Sequence, residues 1–426
     1  MSYERAEAVD FIKNKYLYKF VTFVLSFLLI LNTNSIWTTV PGFKERFINI
    51  LYLVLPIFVF LSLCSVKVDR IKFRNVFVLI IVFLLYFSIF LIAPVNRSSI
   101  SLGIKLLVSF ISFLIYFELC TETKKFPLIF EYYVNWMVII GLLSLILWIL
   151  VSCMRILQFN SSILSDWSTF NGYAARISSF HGVYFETQYL NNIPRNSAIF
   201  PEAPMASLHF LMALSLNVLF CKEKLSKIKS LILALAVMST LSSTGYIGIV
   251  LLITYKIIFH KFKNNTFNYL KFLLIIIFLL GSVLIVNSIF SQKIGSESGS
   301  IRKDDYLAAF SAWKTSPIFG VGLVSDTVKN YMSLWRGYNL GFSNSLMDIL
   351  AHGGLYLLVI YIGSGIKGFI SNLKIKNFDM IMFIIILFYL FATTIFTNSF
   401  LILATFIWIA IGKPNKEKGN YMEEVK

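Results

Sequence analysis

Long apolar runs, each bounded by short polar or charged stretches, recur along nearly the whole chain. They predict about twelve helices, near 20–32, 48–64, 76–93, 100–119, 128–152, 205–221, 230–242, 246–259, 269–290, 346–367, 379–396 and 400–412. A bilayer core about 30 Å thick asks for roughly 20 apolar residues per spanning helix, and most of these runs come near that length. The seventh, eighth and twelfth are short, which tilt or polar flanks would accommodate. Ten-residue alternating segments, the mark of a membrane β-barrel, are absent from the sequence. The pattern therefore predicts an all-α, polytopic transmembrane bundle spanning 1–426 as one integral membrane domain. Two long connections interrupt it, 153–204 and 291–345, each expected to contain short amphipathic helices. Within the second, residues 301–314 place Tyr306, Phe310 and Trp313 at helical spacing, a stripe suited to the membrane surface or the bundle. Pro317 should stop that helix, and Ile318-Phe319-Gly320-Val321-Gly322 reads as a turn.

Composition strengthens this picture: 58% of the residues are hydrophobic, only 14% are charged, and 42 are Phe, a surplus no soluble domain carries. The net charge of +17 would point to nucleic acid in a soluble chain. Here the basic residues sit in every second connection, at Lys13 to Lys19, Lys67 to Arg74, Lys124 and Lys125, Lys222 to Lys229, Lys261 and Lys263, Lys374 and Lys376, and Lys413 to Lys418. By the positive-inside rule both termini and these connections are expected in the cytoplasm, and the two long loops outside. No nucleic-acid partner is implied. The first apolar run lacks a cleavage signature and is expected to persist as a helix. Cys64, Cys120 and Cys221 fall at cytoplasmic helix ends and Cys153 at an external one, which leaves no intramolecular pairing in that topology.

The external loops hold basic residues against the positive-inside bias, Arg176 and Arg195 in the first and Arg302 and Lys303 in the second. Cations kept there suit an anionic ligand. The most informative stretch is Arg195-Asn-Ser-Ala-Ile-Phe-Pro-Glu-Ala-Pro204, running straight into an apolar helix. Taken alone, Glu202 is either a helix-start carboxylate favoured by the helix dipole or a functional acid, and Arg195 either its interfacial partner or a ligand group. His209 lies within a predicted span and reads as a packed, hydrogen-bonded residue. His181 in the first loop and His352 near the start of the tenth helix are candidate bases. The four histidines are scattered, with no metal-ligand spacing, and the chain has no GxxxxGK[ST] nucleotide loop.

Arg195, Ala198, Phe200, Glu202 and Pro204 resemble the entry motif of the O-antigen polymerase (Wzy) family, within the O-antigen ligase and polymerase superfamily. Ala198 stands where Gly is common, and Ala203 separates Glu from Pro. Ser243-Thr244-Gly245 is similar to that family's polar turn before a helix. Arg302, Trp313, Pro317 and Phe319-Gly320-Val321-Gly322 resemble its Arg followed by a Pro-x-Phe-Gly-x-Gly turn, and Ser343-Asn344-Ser345-Leu346 with Gly353-Gly354 a late helix entry. The ordered resemblance runs from about 190 to 365.

What the resemblance implies is a glycosyltransferase of the bacterial cytoplasmic (inner) membrane, acting at its external, periplasmic face in polysaccharide (O-antigen, lipopolysaccharide or capsule-type) biosynthesis. A growing glycan on undecaprenyl pyrophosphate passes to the terminal sugar of an incoming lipid-linked repeat, with no metal or other cofactor. Undecaprenyl-pyrophosphate-linked oligosaccharide and membrane lipids are then the partners, with a chain-length regulator protein as a further one. The chemistry needs cations on the departing diphosphate and a base for the acceptor hydroxyl. Arg195 and Arg302 are first choices for the diphosphate, with Lys303 and Arg176 behind them, because a guanidinium binds phosphate bidentately. Glu202 is the first choice of base, ahead of His352 and His181. Two alternatives stand beside this reading. An O-antigen ligase transfers finished glycan to lipid A core, and commonly has His where this chain has Ser343. A flippase for the same lipids is expected to show internal repeats and mid-membrane charges, neither of which the sequence displays.

Overall fold

A computed structural model describes residues 12–93, 100–122, 125–170, 173–259, 297–323, 325–337 and 340–412. The predicted ninth span, 269–290, lies outside the described residues, as do His260, Lys124, Lys261, Lys263 and Lys413 to Lys418. The other eleven predicted spans are helices: α1 Lys15–Asn32, α2 Lys44–Cys64, α3 Arg70–Ile92, α4 Ile100–Leu119, α5 Leu128–Leu147, α6 Ala203–Phe220, α7 Ser226–Ser239, α8 Ser243–Phe259, then α10 Ser345–Lys374, α11 Phe378–Thr393 and α12 Phe400–Ile411. The amphipathic α9, Glu297–Thr315, precedes α10. Seven of the described helices are long and apolar enough to cross a membrane, counting α5 with its π-helical continuation Trp148–Cys153. The protein is a helical polytopic membrane protein.

Burial separates two kinds of helix. On α3, apolar residues such as Val82, Leu85 and Ile92 are exposed among the described residues, as suits a face turned to lipid. By contrast α6 is enclosed by α5, α7, α8 and α11, and even its polar Ser207, His209, Ser215 and Asn217 are buried. His209 is fully partnered, its Nε2 2.8 Å from the Thr33 carbonyl and its Nδ1 3.0 Å from the Tyr133 hydroxyl. It is a packed helix residue, as the sequence implied.

Contacts sort the connections into two ends. The Lys13 amide donates to the Ser65 carbonyl at 2.9 Å, Tyr18 to the Cys120 carbonyl at 2.8 Å, and Phe126 stacks on Phe220 at 5.2 Å. The start of α1, the α2–α3 and α4–α5 connections and the end of α6 thus share one end, which carries the basic clusters. The opposite end holds both long connections.

The first long connection differs from expectation. Instead of short amphipathic helices it forms strands: β1 Ser161–Phe170, β2 Tyr173–Phe180 and β3 Tyr184–Glu186 in one antiparallel sheet, and the short pair β4 Tyr189–Leu190 and β5 Ile193–Pro194. The decisive local signal is His181-Gly182, both at positive φ (49° and 67°), with the Val183 amide donating to the Phe180 carbonyl at 3.1 Å. Two successive left-handed residues make the tight turn that matches strand twist and closes a hairpin. Ile177 and Phe185 of the sheet pack on Ile36, anchoring it over the α1–α2 connection.

The second connection holds the expected helix. Its Ala308, Ala309 and Ala312 face is buried, while Tyr306 and Phe310 are exposed. Behind it, the 317–322 turn is inserted into a break in α10 at Gly354, whose φ and ψ are 58° and −161°. Val321 and Gly322 amides donate to the Ala351 and His352 carbonyls (2.9 and 3.0 Å), and the Leu355 and Tyr356 amides donate to Pro317 and Ile318 (3.0 and 2.8 Å). Four backbone groups released by the break are thereby satisfied without water. A Cβ on Gly320 would lie 2.6 Å from the Ala351 carbonyl oxygen, and one on Gly354 2.4 Å from that of Ile318. Gly320→Ala or Gly354→Ala is therefore expected to cost about 1–3 kcal/mol or more, read as a lowered thermal midpoint of the detergent-purified protein; an unchanged midpoint would show that the two backbones need not meet.

Candidate functional site

Three segments converge on Glu202. Pro201 and Pro204 restrict the backbone on either side, and Glu202 is the N-cap of α6 in extended conformation (φ −154°, ψ 155°). Its carbonyl accepts from the Met205 and Ala206 amides (3.1 and 3.2 Å), but its side chain caps nothing. The carboxylate lies near the side chains of Trp167 of β1 and Gln188, and in the field of both Arg195 and Arg302. Burial pushes its pKa above the usual carboxylate range, while those side chains and the two guanidinium groups oppose the rise. A raised pKa makes a carboxylate a stronger base.

Arg195 is fixed by the neighbouring turns. Its Nε donates to the Thr240 carbonyl at 2.9 Å, just before the Ser242-to-Gly245 turn, and its Nη1 to Gln188 Oε1 at 3.2 Å. Burial lowers its pKa, and Glu202 acts in the opposite direction. The intervening chain is shaped by Ala198, at φ 50°, a conformation glycine adopts more easily. Asn196 Oδ1 accepts from the Ala198 amide at 3.0 Å and its Nδ2 donates to Ser239 Oγ at 2.9 Å, holding this bend against α7.

Arg302 approaches from α9, which sequence separates from Glu202 by a hundred positions; it also acts on Tyr389 of α11. Tyr389 donates to the Thr244 carbonyl at 3.2 Å, at the start of α8. Lys303, next in the chain, is exposed.

Gln188 joins the parts. Its Oε1 accepts from Arg195 Nη1 and from the Ala203 amide (3.1 Å), its carbonyl accepts from the Arg195 amide (3.0 Å), and its side chain reaches Glu202. The sequence offered no signal for Gln188, because a lone amide in a loop has no diagnostic spacing.

The remaining candidates lie apart. Arg176 is exposed on β2, opposite Leu164 of β1. His181 occupies the hairpin turn, exposed, with Nε2 2.6 Å from Asn160 Nδ2. No described contact joins either to Glu202. His352 sits one turn below Asp348 on α10, its Nδ1 2.8 Å from Asp348 Oδ1, and Thr397 donates to the other carboxylate oxygen. This dyad lines a separate cavity of about 290 Å³ with Ser325, Lys329 and Tyr361. Arg336 is buried and structural: its Nη1 meets Asp305 Oδ1 at 2.5 Å and Asp304 Oδ2 at 3.4 Å, and its Nη2 donates to the Gly341 carbonyl at 2.8 Å. It ties the second long connection to α9.

Fold and site together define a polytopic helical membrane protein with a guanidinium–carboxylate cluster where both long connections meet. Residues 229–362 match a family model described as O-antigen ligase. That match supports the O-antigen ligase and polymerase superfamily, a class of enzymes acting on lipid-linked glycans, and leaves the two activities undivided. It spans the polar turn, Arg302, the 317–322 turn and the break in α10, whereas Arg195 and Glu202 precede it. No curated protein matches the chain.

Proposed function

We propose that the protein is a polysaccharide polymerase of the bacterial cytoplasmic membrane, with both termini cytoplasmic and the Glu202 cluster on the external face. The observation that carries this reading is a half-buried carboxylate, Glu202, at the head of a membrane helix and in the field of both Arg195 and Arg302. Two guanidinium groups near it supply charge for a diphosphate leaving group. In the transfer, the acceptor sugar hydroxyl gives its proton to Glu202 and its oxygen bonds to the anomeric carbon of the growing glycan. The bond from that carbon to undecaprenyl diphosphate breaks, and the departing charge is taken up by Arg195 and Arg302.

Polymerase is favoured over ligase because Ser343 stands where ligases commonly carry His, and serine offers no imidazole at that position. The test is the glycan profile of a host strain lacking the gene. Glycans of a single repeat unit, restored to long chains by the wild-type gene, are the expected result. Long glycans left unattached would establish the ligase instead, and loss of both glycan and external lipid-linked repeats would indicate transport.

A further inference from the structure

The end of the bundle opposite Glu202 holds a larger cavity than the one beside His352, about 970 Å³, between the last turns of α6 and α8, the start of α7 and the α10–α11 connection. At 1.5 Å per residue, the eighteen residues of α6 set it about 27 Å from the Glu202 cluster. Its inner wall is apolar, with Leu214 of α6, Ala234 of α7, and Leu252 and Ile253 of α8. Its rim is cationic: Lys222, Lys227, Lys256 and Lys376 line it together with a single carboxylate, Asp379. That carboxylate already accepts from the Tyr255 hydroxyl at 2.9 Å and lies 4.0 Å from Lys256 Nζ. The nearby Lys229 is matched by Glu223 at 2.5 Å, and Lys222 has an interaction of its own. Lys376 also holds φ 58°, a backbone conformation in which glycine or asparagine is the ordinary choice.

We infer that this cavity binds an anionic glycerophospholipid, its phosphate at Lys227 and Lys376 on the rim and its acyl chains along the apolar wall. A soluble phosphate would use the rim and leave the wall empty; a zwitterionic lipid would use the wall and bring no net charge to the rim. Basic pockets between membrane helices recognise anionic headgroups in this way. The inference concerns a site remote from the proposed chemistry and stands whichever glycan transfer the protein performs.

The experiment uses the full chain in detergent, with phosphatidylglycerol and phosphatidylcholine of identical acyl chains, read by native mass spectrometry and thermal unfolding. Phosphatidylglycerol should bind at least about tenfold more tightly and raise the melting temperature more, and its advantage should shrink as salt rises. The double variant K227E/K376E should reduce it to the level of phosphatidylcholine. Equal binding of the two lipids by the wild-type protein, or an undiminished preference in the double variant, would overturn the inference. So would full displacement of phosphatidylglycerol by millimolar inorganic phosphate, which would reassign the rim to a soluble anion. The wild-type lipid comparison and salt series need no variant, so they decide the matter even if K227E/K376E fails to fold.

Discussion

Glu202→Gln is expected to abolish chain extension, by at least about a hundredfold, while the protein accumulates normally in membranes and still binds its lipid-linked substrate. The amide keeps the shape of the side chain but takes no proton. Glu202→Asp should retain a small residue of activity, because the carboxylate withdraws by one methylene. Two pH signatures follow from burial raising the Glu202 pKa. Wild-type activity should climb with pH through the raised value, as the base form appears. Stability should run the other way: the folded protein binds this proton more tightly than the unfolded chain, so between the ordinary and the raised pKa stability falls as pH rises. Glu202→Gln removes that slope and should melt no lower than wild type at neutral pH. Long chains at near wild-type rate from the Gln variant would remove Glu202 from the chemistry and turn attention to His352 and His181.

Arg302→Lys keeps the positive charge and loses the planar fork, and should cut polymer formation about tenfold to a hundredfold with unchanged protein level. Arg302 is the sharper probe of the two arginines. Arg195 also bridges Gln188 and the Thr240 carbonyl, so Arg195→Lys mixes loss of a ligand group with loss of these supports. Wild-type chain lengths from Arg302→Lys would exclude a fork contact and leave at most a field effect on Glu202.

How far these residues were legible beforehand differs from case to case. The helices were read from apolar runs because a bilayer imposes length and hydrophobicity on each span separately, with no help from neighbours. The ends of α9 and the 317–322 turn were legible because proline and glycine act locally. The strands of the first connection were not: their alternation is short and their side chains mixed, and the sheet is held by Ile36 and by the 196–200 segment. His181 shows the same limit. A histidine in an aromatic loop invites a catalytic reading, and only the backbone reveals a left-handed turn position.

The chain's own sequence determined the class of protein, the order of its spans and the two connections where chemistry was to be sought, since hydrophobic length, charge alternation and turn residues are properties of contiguous stretches. Tertiary structure assembled the candidate site. It brought Arg302 into the neighbourhood of Glu202 across a hundred residues, placed Trp167 and Gln188 there without any spacing signal, set Thr397 on the Asp348–His352 pair beside a different cavity, and buried Arg336 between two aspartates. Those outcomes depend on which elements meet, α9 on α10 and α6 among its four neighbours, and no local pattern fixes that.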